Sequence, residues 1–180
     1  MLILNFSPFP VLITERLLLR AATLQDAEKL SIIRSDARVN LHLERNATMS
    51  IKEAEERIHK LAACTQQNES IEWIIQFKDN VEMLGSICLW NIIPALKQVE
   101  IGYEMHPDFY GKGIMQEAMQ VVIKYAFKTI QAKIIIGTPM KDNEKSIQLL
   151  KRNHFVEDNN KVIYHADDLD DNYVVYVLKN

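Results

Sequence analysis

The chain has 180 residues, 48% of them hydrophobic and 25% charged, with a net charge of −3. That length suits one domain with its own buried core, and the acidic balance argues against a protein whose main work is coating nucleic acid, which needs a basic face. Cys64 and Cys88 show no metal-like or Cys-x-x-Cys spacing and read as reduced thiols, and no stretch approaches the ~20 apolar residues of a membrane helix.

Residues 1–10 lack a basic leader and carry Pro8 and Pro10, which suits an extended arm; residues 11–180 form the domain, expected in the cytoplasm. Leu12 to Arg20 reads as one strand. Thr23-Leu24-Gln25-Asp26 resembles a capping box and opens a helix that runs to about Arg34. Ser50-Ile51-Lys52-Glu53 opens a second, with Ala54, Ile58, Leu61 and Ala62 on one face, fading near Gln67. Ile71 to Lys78 and Met83 to Ile92 read as an antiparallel hairpin over Asp79-Asn80.

Gln98 to Met105 is the next strand; Pro107 after it cannot donate to a ladder and is expected to splay the strand from its neighbour. Met115, Ala118, Met119, Val122, Ile123, Ala126, Phe127 and Ile130 recur at three and four, the most regular helix of the chain. Lys133 to Gly137 follows as a short Ile-rich strand, so strand, helix and strand imply a parallel crossover. Asn143 to Asn153 makes a fourth helix, and Phe155 to His165 with Asn172 to Leu178 closes the chain as a hairpin over the acidic turn Asp167 to Asp171. The result is one α+β domain with a mixed sheet.

The junction at Tyr110-Gly111-Lys112-Gly113-Ile114 carries the chemistry. Helix starts leave N–H groups unpaired and carry partial positive charge, so a Gly-x-Gly turn at that point lets a pyrophosphate approach the main chain. The spaced glycine and Lys-Ser/Thr pair of a P-loop are missing. His42, His59, His106, His154 and His165 are scattered without a zinc pattern. Trp73 and Trp90 fall in predicted strands and read as core or as walls of an acceptor cleft.

Four blocks together resemble the GNAT N-acetyltransferase superfamily, and within it the RimJ/RimL type: Thr14-Glu15-Arg16-Leu17-Leu18-Leu19-Arg20, Glu100-Ile101-Gly102-Tyr103, Tyr110-Gly111-Lys112-Gly113, and Asn143-Glu144-Lys145-Ser146 leading to Phe155. The resemblance implies a mostly antiparallel sheet of about seven strands with flanking helices. It also implies acetyl-CoA as co-substrate and transfer to a primary amine within a ternary complex, with no metal and no covalent acyl-enzyme. A protein N-terminus, such as that of a ribosomal protein, is the acceptor it favours. A small amine (polyamine, amino acid or antibiotic) and a non-catalytic acyl-CoA-binding sensor are the alternatives. No nucleic acid or membrane partner is implied, and a monomer or homodimer would serve.

Residue by residue, the resemblance assigns the diphosphate to the amides of Gly111, Lys112, Gly113, Ile114 and Met115, with Tyr110 beside them. The pantetheine arm goes to the strand edge at Glu104 and Met105 and to Asn143, which reads equally as a plain helix cap. Glu100 is the implied base for the amine. Ser146, one helical turn after Asn143, is implied to hydrogen-bond the departing sulfur, since Leu150 stands where many relatives carry Tyr. Three departures stand out. Asp108 opens the loop where Gln or Arg is usual and should point away from a diphosphate; Tyr110 replaces Trp; and His154-Phe155 replaces Gly-Phe, so Asn153 or His154 must take the left-handed turn. Acceptor choice should lie with the first two helices, whose segments carry Arg34, Asp36, Arg38, His42, Glu44 and Arg45, and with the hairpin from Asn91 to Gln98.

Overall fold

The region expected as one strand from Leu12 to Arg20 is a tight antiparallel pair, β1 (Leu12–Ile13) and β2 (Leu17–Arg20), in the computed structural model, which describes residues 1–43, 45, 48–158 and 170–180. The reason is Thr14. Its hydroxyl accepts from the Leu17 N–H at 2.9 Å while its own N–H donates to the Leu17 carbonyl at 3.0 Å, so a local turn wins over the ladder.

Both capping boxes form. Asp26 accepts from the Thr23 N–H and hydroxyl at 2.8 and 3.0 Å, and after a short 3-10 turn (Leu24–Asp26) α1 (Ala27–Ser35) begins. The short α2 (Ala37–Asn40) follows. Ser50 and Glu53 cap α3 (Ile51–Gln66) reciprocally, at 3.2 Å from the Glu53 N–H and 2.7 Å from the Ser50 N–H.

The remaining elements are β3 (Ile71–Phe77), β4 (Gly85–Ile93), β5 (Gln98–Met105), α4 (Ile114–Lys128), β6 (Ile134–Gly137), α5 (Glu144–Arg152), β7 (Val156–Glu157) and β8 (Tyr176–Lys179). The sheet runs β1-β2-β3-β4-β5-β6-β8-β7, and among the described residues its one parallel pair is β5 with β6, as the crossover through α4 requires. The split of the first strand accounts for eight strands among the described residues in place of about seven. Most of the expected strand from Phe155 to His165, part of the acidic turn, and Glu44 lie outside the described residues.

One face of the sheet buries Leu17, Leu19, Trp73, Ile75, Ile87, Leu89, Val99 and Ile101 against Ile114, Ala118, Met119, Val122 and Ala126 of α4. Each such aliphatic side chain contributes about 1.5–3 kcal/mol when removed from water. Leu2 and Phe6 of the N-terminal arm join this core, and the Ile3 N–H bonds the Ile130 carbonyl at 2.9 Å. On the other face Ile74 packs beneath Leu30 and Ile33 of α1 and Ala54 and Ile58 of α3.

The two halves of the sheet meet only at Gln98/Ile134, Val99/Ile135 and Glu100/Ile136. Beyond Glu100 the strand β5 has no neighbour on that side among the described residues, because β6 ends at Gly137 and the chain departs through Pro139. The gap therefore opens at Glu100. Pro107 is not its cause: at His106 the strand is still bonded to β4, its N–H reaching the Leu84 carbonyl at 2.9 Å.

Candidate functional site

That His106/Leu84 bond fixes which main-chain groups face the gap. Antiparallel neighbours alternate between bonded and non-bonded pairs, so Glu104/Ser86, Gly102/Cys88 and Glu100/Trp90 are the bonded pairs toward β4. The N–H and C=O of Tyr103 and Met105 then point into the gap. Of the two residues expected at this edge, Met105 presents its main chain and Glu104 does not; the Glu104 carboxylate instead pairs with Arg45 at 2.5 Å and Arg34 at 3.5 Å. Tyr103, rather than Glu104, shares this edge with Met105.

At the far end of β5 a 3-10 turn (Pro107–Phe109) leads into the glycine loop. Gly111 and Gly113 hold φ of 74° and 73°, a left-handed pair that side chains resist. Ile114 and Met115 sink their side chains into the core and anchor the loop from below. Among the described residues no acceptor meets the amides of Gly111, Lys112, Gly113, Ile114, Met115 or Gln116. Six N–H groups thus crowd one exposed turn at the positive end of a fifteen-residue helix, an arrangement suited to a diphosphate.

Side chains reinforce this turn. Arg16 donates to the Lys112 carbonyl at 3.3 Å and pairs with Glu117 at 2.7 Å, while Glu117 also accepts from the Thr14 hydroxyl at 2.5 Å. The β1–β2 turn is thereby clasped to the first turn of α4. Lys112 stacks over Phe109 at 5.2 Å and Lys145 over Tyr110 at 5.1 Å, adding cations around the loop. Asp108 is exposed and turned toward Arg38 and His106, at 3.9 and 3.7 Å.

Glu100 is buried on the face shared with Gly102 and Glu104, with one carboxylate oxygen accepting from Thr138 Oγ1 at 2.6 Å and the other from Asn91 Nδ2 at 3.0 Å. These bonds fix its orientation at the point where β5 and β6 part.

Ser146 lies across the sheet on α5, where Asn143 caps the helix by accepting the Ser146 N–H at 3.1 Å. The cap uses Asn143 Oδ1 and leaves its Nδ2 without a partner among the described residues, so the residue can serve both expected roles. The Ser146 hydroxyl meets the Tyr103 phenol at 2.7 Å. Burial pushes Tyr103 up to about 12, against the opposing pull of the Ser146 bond, so the phenol keeps its proton. This pair escaped sequence reading, although strand alternation puts Tyr103 on the face opposite Glu100 and toward the last helix.

The remaining candidates divide. Trp73 is core, with its indole donating to the Pro10 carbonyl at 2.7 Å, whereas Trp90 is 46% exposed beside Gly102. Arg38 holds the Asp36 carboxyl down to about 2, and His42 lies 3.2 Å from Asp142. Burial pushes the Cys88 thiol well above its usual range, which leaves it inert at neutral pH. At the end of α5 His154 takes the left-handed turn, φ 66°, with Asn153 locked to Gln116 by two side-chain bonds of 2.9 and 3.1 Å. No helix among the described residues is long and apolar enough to cross a membrane.

Comparison with known proteins agrees with this geometry. The family model for the acetyltransferase (GNAT) domain matches residues 16–156. The chain is 33% identical over 147 residues to the uncharacterized N-acetyltransferase YoaA of Bacillus subtilis, covering 82% of this chain and 83% of that protein. It is 31% identical over 80 residues to the ribosomal-protein-serine acetyltransferase of Escherichia coli, 44% of each. The fold superposes on RimL, the ribosomal L7/L12 alpha-N-protein acetyltransferase in complex with coenzyme A, with a TM-score of 0.79 at 21% identity, over 94% of this chain and 98% of that one.

Proposed function

This chain belongs to the acetyltransferase (GNAT) family, and on that premise we propose that it moves an acetyl group from acetyl-CoA to a primary amine, the N-terminus of a protein being the favoured acceptor. The observation that carries the reading is the parting of β5 from β6 at Glu100, with Tyr103 and Met105 main chain along the gap and six amides at its end that are unpaired among the described residues. Acetyl-CoA supplies the activated thioester when bound.

The protein's own residues divide the work. The amides of residues 111–116 hold the diphosphate, with Arg16, Lys112 and Lys145 as nearby cations. Tyr103 and Met105 pair with the amides of the pantetheine arm, and Asn143 Nδ2 supports it. An ammonium has no lone pair to attack with, so Glu100 removes its proton, directly or through a water. As the C–N bond forms and the C–S bond breaks, Ser146 donates a hydrogen bond to the departing sulfur, and the protonated Tyr103 phenol holds its hydroxyl in place. The RimL and E. coli relatives support a protein N-terminus as acceptor.

The test is a thiol-release assay with acetyl-CoA across N-terminal peptides, polyamines, amino acids and aminoglycosides. Release with peptides is expected. Acetyl-CoA binding with no release for any amine would instead assign a sensor, and protection by ATP or NAD but not acetyl-CoA would remove the reading altogether.

A further inference from the structure

Three arginines from the helical layer converge on two carboxylates of the sheet. Arg34 of α1 and Arg45 share Glu104 of β5, and Arg57 of α3 pairs with Glu72 of β3 at 2.7 Å. The Glu104 and Glu72 side chains are only 10% and 6% exposed, and Arg34 and Arg45 only 15% and 16%. We propose that this cluster receives an anionic group of the acceptor, a carboxylate or a phosphate, so that the enzyme selects amines that carry such a group nearby. The proposal rests on the acetyltransferase reading above.

Charge balance is the first argument. Among the described residues three guanidinium groups face two carboxylates, an excess of one positive charge, with Arg34 and Arg45 the more deeply withdrawn from water and Arg57 29% exposed. An uncompensated buried charge is costly, and a ligand anion relieves it. Hydrogen bonding points the same way. Arg34 Nε, Arg45 Nη2 and Arg57 Nε are buried and meet no acceptor among the described residues. Glu72 Oε1 and Glu104 Oε1 also lack a hydrogen bond, but Glu104 Oε1 lies in ion-pair range of Arg34. Donors exceed acceptors, and buried donors call for a partner. Arginine's planar fork suits a carboxylate or phosphate.

Position supplies the scale. Glu104 stands four residues beyond Glu100 on one face of β5, about 13 Å away at the usual strand rise. An amine at Glu100 thus reaches the cluster through one or two intervening residues, over Gly102 and the exposed Trp90. In a peptide acceptor the anion falls at the second or third residue. In a small molecule it falls at the far end of an extended amine.

The wild-type protein tests this directly. Peptides identical but for Asp, Asn, phosphoserine or Lys at positions two and three are compared by kcat/KM. Amino-terminated small molecules are compared with and without a terminal carboxylate. Acidic acceptors are expected to exceed their neutral partners by about tenfold or more, the range of a charge-assisted bond, with the advantage shrinking at high salt. Arg45→Gln and Arg34→Gln should pull the Asp/Asn ratio toward one through KM, with melting temperature and acetyl-CoA affinity recorded to identify a misfolded variant. Equal rates for Asp and Asn peptides, or preference for Lys, overturn the proposal. If no acceptor is turned over, titration of the CoA-loaded protein with the same peptides decides. Tighter binding of the acidic ones upholds the anion site while the enzymatic reading fails, and equal binding removes the site as well.

Discussion

The Tyr103 phenol and the Ser146 hydroxyl meet at 2.7 Å, joining β5 to α5 on the side of the sheet opposite Glu100. Ser146→Ala is expected to lower kcat about a hundredfold, within the range for a lost acid or hydrogen-bond donor, with acetyl-CoA affinity unchanged. Tyr103→Phe should lower it less, about tenfold, since the phenol acts through the serine. Because Tyr103 is pushed up to about 12, its protonated form persists well above neutrality, so kcat should show no break at the ordinary tyrosine value near 10. Steady-state thiol release with kcat and KM resolved checks all three. A Ser146→Ala enzyme of full kcat would remove the serine from the chemistry.

Glu100 is held by Thr138 and Asn91 at the mouth of the gap. Glu100→Gln keeps the shape and removes the basicity, so kcat should fall by about two to three orders of magnitude while acetyl-CoA binding by calorimetry stays within about twofold. Thr138→Val leaves the carboxylate but frees its rotamer, and about a tenfold loss is expected. An unchanged Glu100→Gln enzyme would show that the amine loses its proton elsewhere.

Gly113 sits at φ 73°, and a Cβ there would stand 3.6 Å from an Arg16 guanidinium nitrogen. Gly113→Ala adds roughly 1 kcal/mol of backbone strain and tilts the amides that face the diphosphate. Acetyl-CoA affinity should weaken about tenfold or more, read by titration, with acceptor KM little altered. Undiminished affinity would locate the diphosphate away from this turn.

Far from the gap, Asp26 pairs with Arg20 at 2.7 Å and closes the capping box of the 3-10 turn that leads into α1. Burial alone would push its carboxyl up, but Arg20 and the Thr23 N–H and hydroxyl outweigh burial and hold it below the ordinary value. A depressed carboxyl stabilises the fold above the unfolded value near 3.9, and that contribution disappears as pH falls through the lower folded one. Asp26→Asn should cost on the order of 3 kcal/mol at neutral pH, with the gap to wild type narrowing below about pH 4. Urea melts at two pH values measure this, and a constant gap would contradict the linkage.

The strand Gln98–Met105, the crossover and both reciprocal caps were legible because each rests on neighbouring residues: alternation, helical spacing, a Ser or Thr three before an acid. The glycine loop was legible for the same reason. The split at Thr14 was not, since a hydroxyl bonding its own turn looks like any β-branched strand residue. Nor were the Arg45–Glu104 pair, 59 residues apart, or the Tyr103–Ser146 pair, 43 apart. Both depend on tertiary placement that no local pattern encodes. The cause of the gap was misplaced likewise: Pro107 is conspicuous, whereas the early end of β6 follows only from the pairing register.

The cradle at residues 111–116 is built from peptide N–H groups, which most amino acids supply equally. Apart from the two glycines and the core-anchored Ile114 and Met115, substitutions accumulating there over generations leave its donors intact. The opposite side of the sheet depends on guanidinium and carboxylate groups that a single codon change can erase. One surface of the molecule is therefore buffered against drift, while the other changes its charge with single substitutions.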